Sequence, residues 1–220
     1  MMRTDVTVRA YAICAKAGGC SAAPQTRDEP MARCNWRHDR ADHPMNCVTF
    51  GEATSFCVWV EARLPSREEW TFAAASADVE RVTGRDSLRA YPWGADPVSA
   101  RRANYCDAQC PKALGSDSTD GKNLARWEKA GLIDRSQDDG FAATSPVGRY
   151  PDGATRWGLL DMAGNVWQWT STPGPAATYE VRGGSWDNAP ASLRIGRILP
   201  WPAGSADAGM GFRCVQVWGD

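Results

Sequence analysis

Cysteines are the residues of this chain with the clearest capacity for chemistry. The sequence has eight, and six of them form three pairs that lie close together: Cys14/Cys20, Cys34/Cys47 and Cys106/Cys110. An even number of closely spaced cysteines favours disulfide bonds and an oxidising compartment. Metal binding would require Cys-x2-Cys spacing, which is absent. We therefore expect three local disulfides, and a crossed bond from the first pair to Cys34 or Cys47 remains the alternative.

Histidine and aspartate offer the other candidate ligands. The two histidines, His38 and His43, lie in the polar stretch 37–44, which is typical of a solvated loop and supplies no convincing zinc site. The run Asp138-Asp139-Gly140 is, taken alone, a turn, and Asp161 taken alone is a cap. Taken alone, neither observation indicates a metal site.

Two capping boxes predict the helices that position these groups. Thr49 and Glu52 form one, and the apolar residues that follow them recur on one helical face. Ser66 and Glu69 form the second, ahead of a helix that presents Trp70 to the core. Apolar spacing also predicts a helix within residues 5–17, and residues 122–132 predict a short exposed helix. Beyond these, short apolar pieces alternate with glycines, which indicates short strands and ordered loops.

The composition excludes several classes of protein. Hydrophobic residues make up 43% and charged residues 23% of the 220 residues, which excludes wholesale disorder. The chain has 25 basic and 26 acidic residues, so it lacks the excess of positive charge that is typical of a nucleic-acid-binding protein. No apolar run is long enough to cross a membrane. We expect one domain over residues 1–220, rich in loops and packed around its 11 tryptophans.

Six blocks in order resemble the formylglycine-generating enzyme (sulfatase-modifying factor) family. They cover most of the chain: His43–Val48, Arg63–Trp70, Tyr91–Gly94, Gly158–Trp169, Arg182–Trp186 and Gly211–Arg213. The resemblance implies an α+β, C-type-lectin-like fold that is loop-rich, with few helices and short antiparallel strands. It also implies a strand ahead of the first helix. Because the chain begins almost at that helix, we expect an N-terminally truncated domain.

The resemblance makes the catalytic chemistry of the family a specific question. Its catalytic members oxidise a substrate cysteine with molecular oxygen and a copper(I) ion held by two thiolates, which are the soft donors that copper(I) prefers. The matching positions in this chain are Asn188 and Leu193. Neither is a cysteine, so we expect no catalytic residues and no copper. A related branch uses non-haem iron with several histidine ligands, and this chain has two histidines.

The resemblance also implies two calcium sites, which suit hard oxygen ligands. The first matches the side chains of Asn104 and Asp139 with the carbonyl oxygens of Tyr105 and Phe141. The second matches four further residues: Asp161, the carbonyls of Gly164 and Val166, and Gln168. Glutamate is common in the family where Gln168 stands, so we expect weaker binding at the second site.

The remaining implications concern a disulfide and a surface. The family pairs the second helix with the final strand, which matches Cys57 with Cys214. In lectin-like folds the irregular stretch before the last strand forms much of the ligand face, here residues 186–210. Trp186 belongs to a family block and is expected to pack inside, whereas prolines on both sides are expected to keep Trp201 in a loop. The candidate surface comprises five residues: Asp187, Asn188, Arg194, Arg197 and Trp201.

Three functions follow from this pattern. The first is a non-catalytic, calcium-stabilised domain outside the cytoplasm (periplasmic or secreted) that binds a protein or small-molecule ligand, with no nucleic-acid partner and no membrane span. The second is an active formylglycine-generating oxidase that modifies a sulfatase cysteine. The third is a ligand-display protein that resembles the variable proteins of diversity-generating retroelements. The absent thiol pair favours the first over the second.

Overall fold

A small curled sheet, five α-helices and long ordered loops make up the part of the protein that the structure describes. The computed structural model describes residues 1–22, 33–75, 90–114 and 118–216. The α-helices are α1 (Val8–Lys16), α2 (Phe50–Trp59), α3 (Arg67–Ala75), α4 (Cys110–Leu114) and α5 (Ser118–Lys129). The strands are β1 (Trp167–Pro173), β2 (Thr178–Arg182), β3 (Ile198–Pro202) and β4 (Met210–Gly211). Within the described ranges, no helix is long and apolar enough to cross a membrane.

Local capping accounts for the first three helices. The Thr7 hydroxyl accepts a hydrogen bond from the Ala10 amide and opens α1. Thr49 and Glu52 form the predicted capping box at the start of α2. Ahead of α3 the Glu69 amide donates to the Ser66 hydroxyl, and the Ser66 amide donates to the Glu69 carboxylate. Each box satisfies amide groups that a helix leaves without partners at its start, so local sequence alone fixes these boundaries.

The sheet has the order β3-β2-β1-β4. The pairs β1/β2 and β2/β3 are antiparallel, whereas β4 runs parallel to β1, with Trp167 opposite Met210. The family resemblance implied short antiparallel strands, which β1, β2 and β3 are, and the parallel β1/β4 pair departs from that expectation. The long irregular connection between β2 and the end of the chain allows β4 to return in the same direction as β1.

Strand β3 is a second correction, because the sequence placed Trp201 in a loop. Trp201 lies in β3 opposite Tyr179, although prolines precede and follow it. The strand is at the edge of the sheet, so the outward side of its backbone has no neighbouring strand to pair with. Proline, which has no N–H group, is tolerated at such positions because no hydrogen bond is lost.

The core is built around aromatic side chains from the helices and the sheet. Trp70, Trp169 and Trp186 are each at most 1% exposed. The Trp169 indole donates to the Val48 carbonyl oxygen at 3.0 Å, so its polar atom is satisfied inside the core. Phe212, just after β4, packs edge-on against Phe56 of α2. The expectation of a domain packed around buried indoles is confirmed for these three tryptophans.

Four disulfides account for all eight cysteines. The pairs are Cys14–Cys20, Cys34–Cys47, Cys57–Cys214 and Cys106–Cys110. They are the pairs that the sequence and the family resemblance predicted, and the crossed alternative for the first pair is wrong. The Cys57–Cys214 bond joins α2 to the segment after β4, where Arg63 and Val215 exchange two backbone hydrogen bonds.

Candidate metal centres and ligand surface

The first candidate calcium centre lies between two loops that hydrogen bonds connect. The Asp139 carboxylate accepts the Phe141 amide at 2.8 Å across Gly140, whose φ of 86° suits the tight turn. Its other oxygen accepts the Tyr150 hydroxyl at 2.9 Å. Asn104 donates its side-chain amide to the Ala143 carbonyl at 2.8 Å. These contacts orient Asn104 and Asp139 within one loop cluster.

One buried oxygen in this cluster has no hydrogen-bond partner among the described residues. It is the side-chain carbonyl oxygen of Asn104, a residue that is 1% exposed. A buried acceptor without a partner costs free energy, which a bound cation would recover. The Tyr105 carbonyl accepts the Asp107 amide at 2.8 Å and keeps its second lone pair. Asn104 and Tyr105 therefore have acceptor capacity for a hard cation.

The electrostatics of the cluster also fit a cation. Burial raises the pKa of Asp139 to about 7, and the neighbouring carboxylate of Asp107 adds to that rise. Two carboxylates that repel one another favour a dication between or beside them. Within the described ranges no three His, Cys, Asp or Glu side chains form a metal-binding group. The candidate centre accordingly depends on amide and carbonyl oxygens as well as carboxylates.

An open cleft of about 310 Å³ gives solvent access to the same cluster. Its walls are formed by eight residues: Ala100, Arg101, Asp138, Asp139, Arg149, Tyr150, Pro151 and Asp152.

Sequence reasoning did not single out Asp107 or Tyr150. The position of Asp107 between Cys106 and Cys110 was the only available signal for it. Nothing in the sequence marked Tyr150, whose hydroxyl acts across the fold.

The second candidate calcium centre fits a cation less well. Asp161 accepts the Gly148 amide at 2.6 Å with one oxygen, and its other oxygen is buried without a partner. The Gln168 side-chain oxygen, however, already accepts the Trp70 indole at 2.7 Å and the Arg213 guanidinium at 3.0 Å. The Gln168 amide group donates to the Asp161 carbonyl at 2.6 Å. Gln168 therefore has no free oxygen for a metal ion.

The backbone of the second set nevertheless lies in one buried turn ahead of β1. Gly164 has a φ of 80°, and a Cβ there would lie 2.2 Å from the Asn104 carbonyl oxygen. The turn between Asp161 and Val166 therefore packs directly on the first centre, and only glycine fits at the contact. Val166 is fully buried. The structure thus places the two candidate centres next to one another.

The Gln168→Glu variant tests why the second centre fits poorly. Glutamate keeps the acceptor for Trp70 but places a second oxygen against the Asp161 carbonyl. We expect the metal-free variant to lose about 2 kcal/mol of unfolding free energy, because an acceptor then faces an acceptor. Calcium should restore that loss and raise the stoichiometry by one, as measured by calorimetric titration. Gln168→Met should lose stability without any calcium response, and an equal response in both variants would contradict the assignment.

The two positions that match the copper-binding thiols are structural. Leu193 is 1% exposed and packs in an apolar cluster with Tyr91, Tyr105 and Ala163. The Asn188 side chain accepts the Ser185 amide at 3.2 Å and donates to Asp187 at 3.3 Å. Neither side chain offers a soft donor.

The predicted ligand surface is only partly assembled. Arg194 and Arg197 are exposed, and the Arg194 guanidinium lies 5.5 Å from the ring centre of Tyr91. Asp187 and Asn188, which come earlier in the chain, are half-buried. Burial raises the pKa of Asp187 to about 6. Trp201 is partly buried and packs on the cluster that contains Trp169.

His43 corrects another expectation, since it is half-buried and not solvated. Its Nδ1 lies 3.0 Å from the Thr144 hydroxyl, and its ring meets Phe141 edge-on. Burial lowers the pKa of His43 to about 4, so the ring is neutral near pH 7.

Comparison with solved structures defines the class of fold. PvdO from Pseudomonas aeruginosa is 20% identical with a TM-score of 0.65, and the match covers 96% of this chain and 77% of that one. Treponema denticola variable protein 1 is 14% identical with a TM-score of 0.57, over 94% and 80% of the two chains. At these identities the likeness concerns the fold alone. It confirms the α+β, C-type-lectin-like fold of the formylglycine-generating-enzyme type.

Sequence comparison then defines the family. The family model described as the sulfatase-modifying factor enzyme 1-like domain matches residues 1–217, and the chain belongs to this family. Inactive C-alpha-formylglycine-generating enzyme 2 of Bos taurus is 30% identical over 204 residues, which are 85% of this chain and 58% of that protein. The formylglycine-generating enzyme of Mycobacterium tuberculosis is 32% identical over 70% of this chain and 40% of its own length.

A third relative is named for a different activity. The hercynine oxygenase of Mycolicibacterium smegmatis is 32% identical over 78% of this chain and 38% of its own length. This chain therefore spans well under two thirds of each of these three relatives. Because one family includes an inactive protein and two kinds of enzyme, membership alone does not assign an activity.

Proposed function

We propose that this protein is a non-catalytic member of its family: a calcium-stabilised, extracytoplasmic domain that binds a protein or small-molecule ligand. The observation that carries the proposal is the state of the cysteines. All eight form disulfides, and the two positions that match the copper-binding pair are a buried leucine and a hydrogen-bonded asparagine. A disulfide sulfur cannot act as a thiolate ligand, so the thiolate donors of the family's copper(I) site are missing.

Two relatives bear on this choice in opposite ways. The bovine relative is named as inactive, and the mycobacterial one as a formylglycine-generating enzyme. The identities, 30% and 32%, do not separate them, so the site chemistry has to decide. That chemistry supports the inactive alternative, because nothing at Asn188 or Leu193 could hold the copper ion on which the oxidase depends.

Calcium is proposed as a structural ion at the first centre. Asn104, Tyr105, Asp139 and Phe141 would hold it, and its support is the unpartnered Asn104 oxygen together with the paired carboxylates. A calcium ion there would bridge the loop before Cys106 to the loop at Asp139 and stabilise the folded state by mass action.

The location outside the cytoplasm is supported by the four disulfides, which persist in oxidising compartments and are rare in the cytosol. The proposed ligand face comprises the exposed Arg194 and Arg197 and the half-buried Asp187 and Asn188. Arginine is enriched among the residues that anchor binding interfaces, and the contact with the Tyr91 ring orients Arg194. The likeness to the variable protein concerns the fold, so a display function would need variation among gene copies confined to residues 186–210.

Calcium removal tests the structural role of the ion. We expect a chelator to lower the melting temperature of the parent protein by several degrees, since a 100-fold excess of calcium over its dissociation constant contributes about 2.7 kcal/mol. Asp139→Ala should melt at a lower temperature and show no chelator effect, because the site loses its carboxylate ligand.

The matched control for that experiment is Asp152→Ala, which removes another carboxylate of the same cleft. Asp152 forms an ion pair with the exposed Arg101. The control variant should keep the full chelator effect. A parent protein whose melting temperature is unchanged by chelator would contradict the calcium assignment.

A further inference from the structure

We propose that Asp107 is a positioning residue of the first cation centre, held in place by the Cys106–Cys110 disulfide. The inference rests on the proposed calcium role and goes beyond it, because Asp107 belongs to neither predicted ligand set. Asp107 is fully buried, and the disulfide closes a ring of five residues around it.

The Asp107 carboxylate joins the two loops of the centre. One oxygen accepts the Asp139 amide at 2.6 Å, and the other accepts the Gln109 amide at 2.7 Å. The first bond crosses 32 residues of sequence and fixes the backbone of the residue that supplies the carboxylate ligand. Hydrogen bonds from amides to a charged, buried acceptor are among the stronger ones in proteins.

The loop that carries Asp107 is itself held from several directions. The Cys106 amide donates to the Asn188 carbonyl at 2.9 Å, and the Asp134 amide donates to the Cys106 carbonyl at 3.0 Å. The Ala108 amide donates to the Gln137 carbonyl at 3.0 Å. A short disulfide ring with these bonds leaves Asp107 little freedom, so its carboxylate can place Asp139 accurately.

Asp107 also brings a second acidic side chain to the centre. Asp139 is the only carboxylate in the predicted ligand set, and the Asp107 carboxylate accepts its backbone amide at 2.6 Å. A dication bound at the centre is attracted by both carboxyl groups, so Asp107 increases the affinity for calcium.

Three variants separate position from charge. Asp107→Asn removes the charge and turns a donor group toward one of the two amides, so calcium should bind about tenfold more weakly in calorimetric titration. Asp107→Glu keeps the charge but moves the acceptor, and it should also weaken binding if position matters. Asp152→Asn removes a carboxylate of the same cleft and should bind calcium like the parent protein.

A measurement on the parent protein covers the case in which the Asp107 variants fail to fold. Calcium should slow amide hydrogen exchange at Gln109 as well as at Asp139, because the Asp107 carboxylate holds both amides. Slowing at Asp139 without any at Gln109 would overturn the positioning role.

The outcomes distinguish this inference from the proposed function. If the parent and Asp107→Asn bind calcium with equal affinity, the positioning role is wrong and the calcium role stands. If the parent does not bind calcium at millimolar concentration, the calcium role is wrong and the positioning role with it.

Discussion

Removing the Cys57–Cys214 disulfide by the double change Cys57→Ala and Cys214→Ala should cost about 5 kcal/mol of unfolding free energy. The bond closes a loop with a sequence separation of 157 residues, so it restricts the unfolded chain more than any other disulfide here. Both sulfur atoms are buried, and the truncation adds small cavities to the core. Urea denaturation of the folded variants measures the loss.

The matched control for this prediction is the Cys14–Cys20 bond, whose sequence separation is 6. The same chain-entropy relation gives a loss of about 2 kcal/mol for the double alanine variant of that pair. Equal losses from the two double variants would contradict the entropic argument, and a parent protein with free thiols at Cys57 and Cys214 would contradict the pairing itself.

Replacing Arg213 should have the second large effect. The Arg213 guanidinium is fully buried and donates to the carbonyl oxygens of Leu160 and Asp161 at 2.8 Å and 2.9 Å. It forms an ion pair with Asp5 at 3.0 Å, and the described part of the chain offers the Asp5 carboxylate no hydrogen bond. Burial raises the pKa of Asp5, and the charge of Arg213 opposes that rise.

Arg213→Met would leave Asp5 and Asp161 buried without their cation. We expect a loss of about 3–5 kcal/mol in urea denaturation, the usual cost of breaking a buried ion pair from one side. Adding Asp5→Asn to Arg213→Met should recover part of that loss, because one uncompensated charge is removed.

Arg63→Met is the control for a paired arginine at the surface, since the ion pair of Arg63 with Glu69 is exposed to solvent. That change should cost no more than about 1 kcal/mol. If Arg213→Met costs as little as Arg63→Met, the buried cluster contributes nothing through its charge.

Features encoded by neighbouring residues were predictable from the sequence. The capping boxes at Thr49 and Ser66 place their partners three residues away, and the three local disulfides join cysteines at most 13 residues apart. Cys57–Cys214 was accessible only through the family resemblance, because nothing local connects residues so far apart.

Features that depend on distant contacts were missed. Gln168 looked like a weakened calcium ligand, and its partners Trp70 and Arg213, 98 and 45 residues away, use its oxygen instead. Flanking prolines indicated a loop at Trp201, yet the edge of a sheet tolerates them. Asp107 carried no motif, since its role depends on a hydrogen bond to a loop 32 residues along the chain.

The most direct test of a non-catalytic function is one experiment on the purified protein. Metal analysis should be combined with an oxygen-consumption assay on a cysteine-containing peptide supplied with copper(I). We predict bound calcium, no stoichiometric copper, and no conversion of the peptide cysteine to an aldehyde, because all eight cysteines are in disulfides. Stoichiometric copper(I) binding with oxygen-dependent formation of the aldehyde would contradict the account.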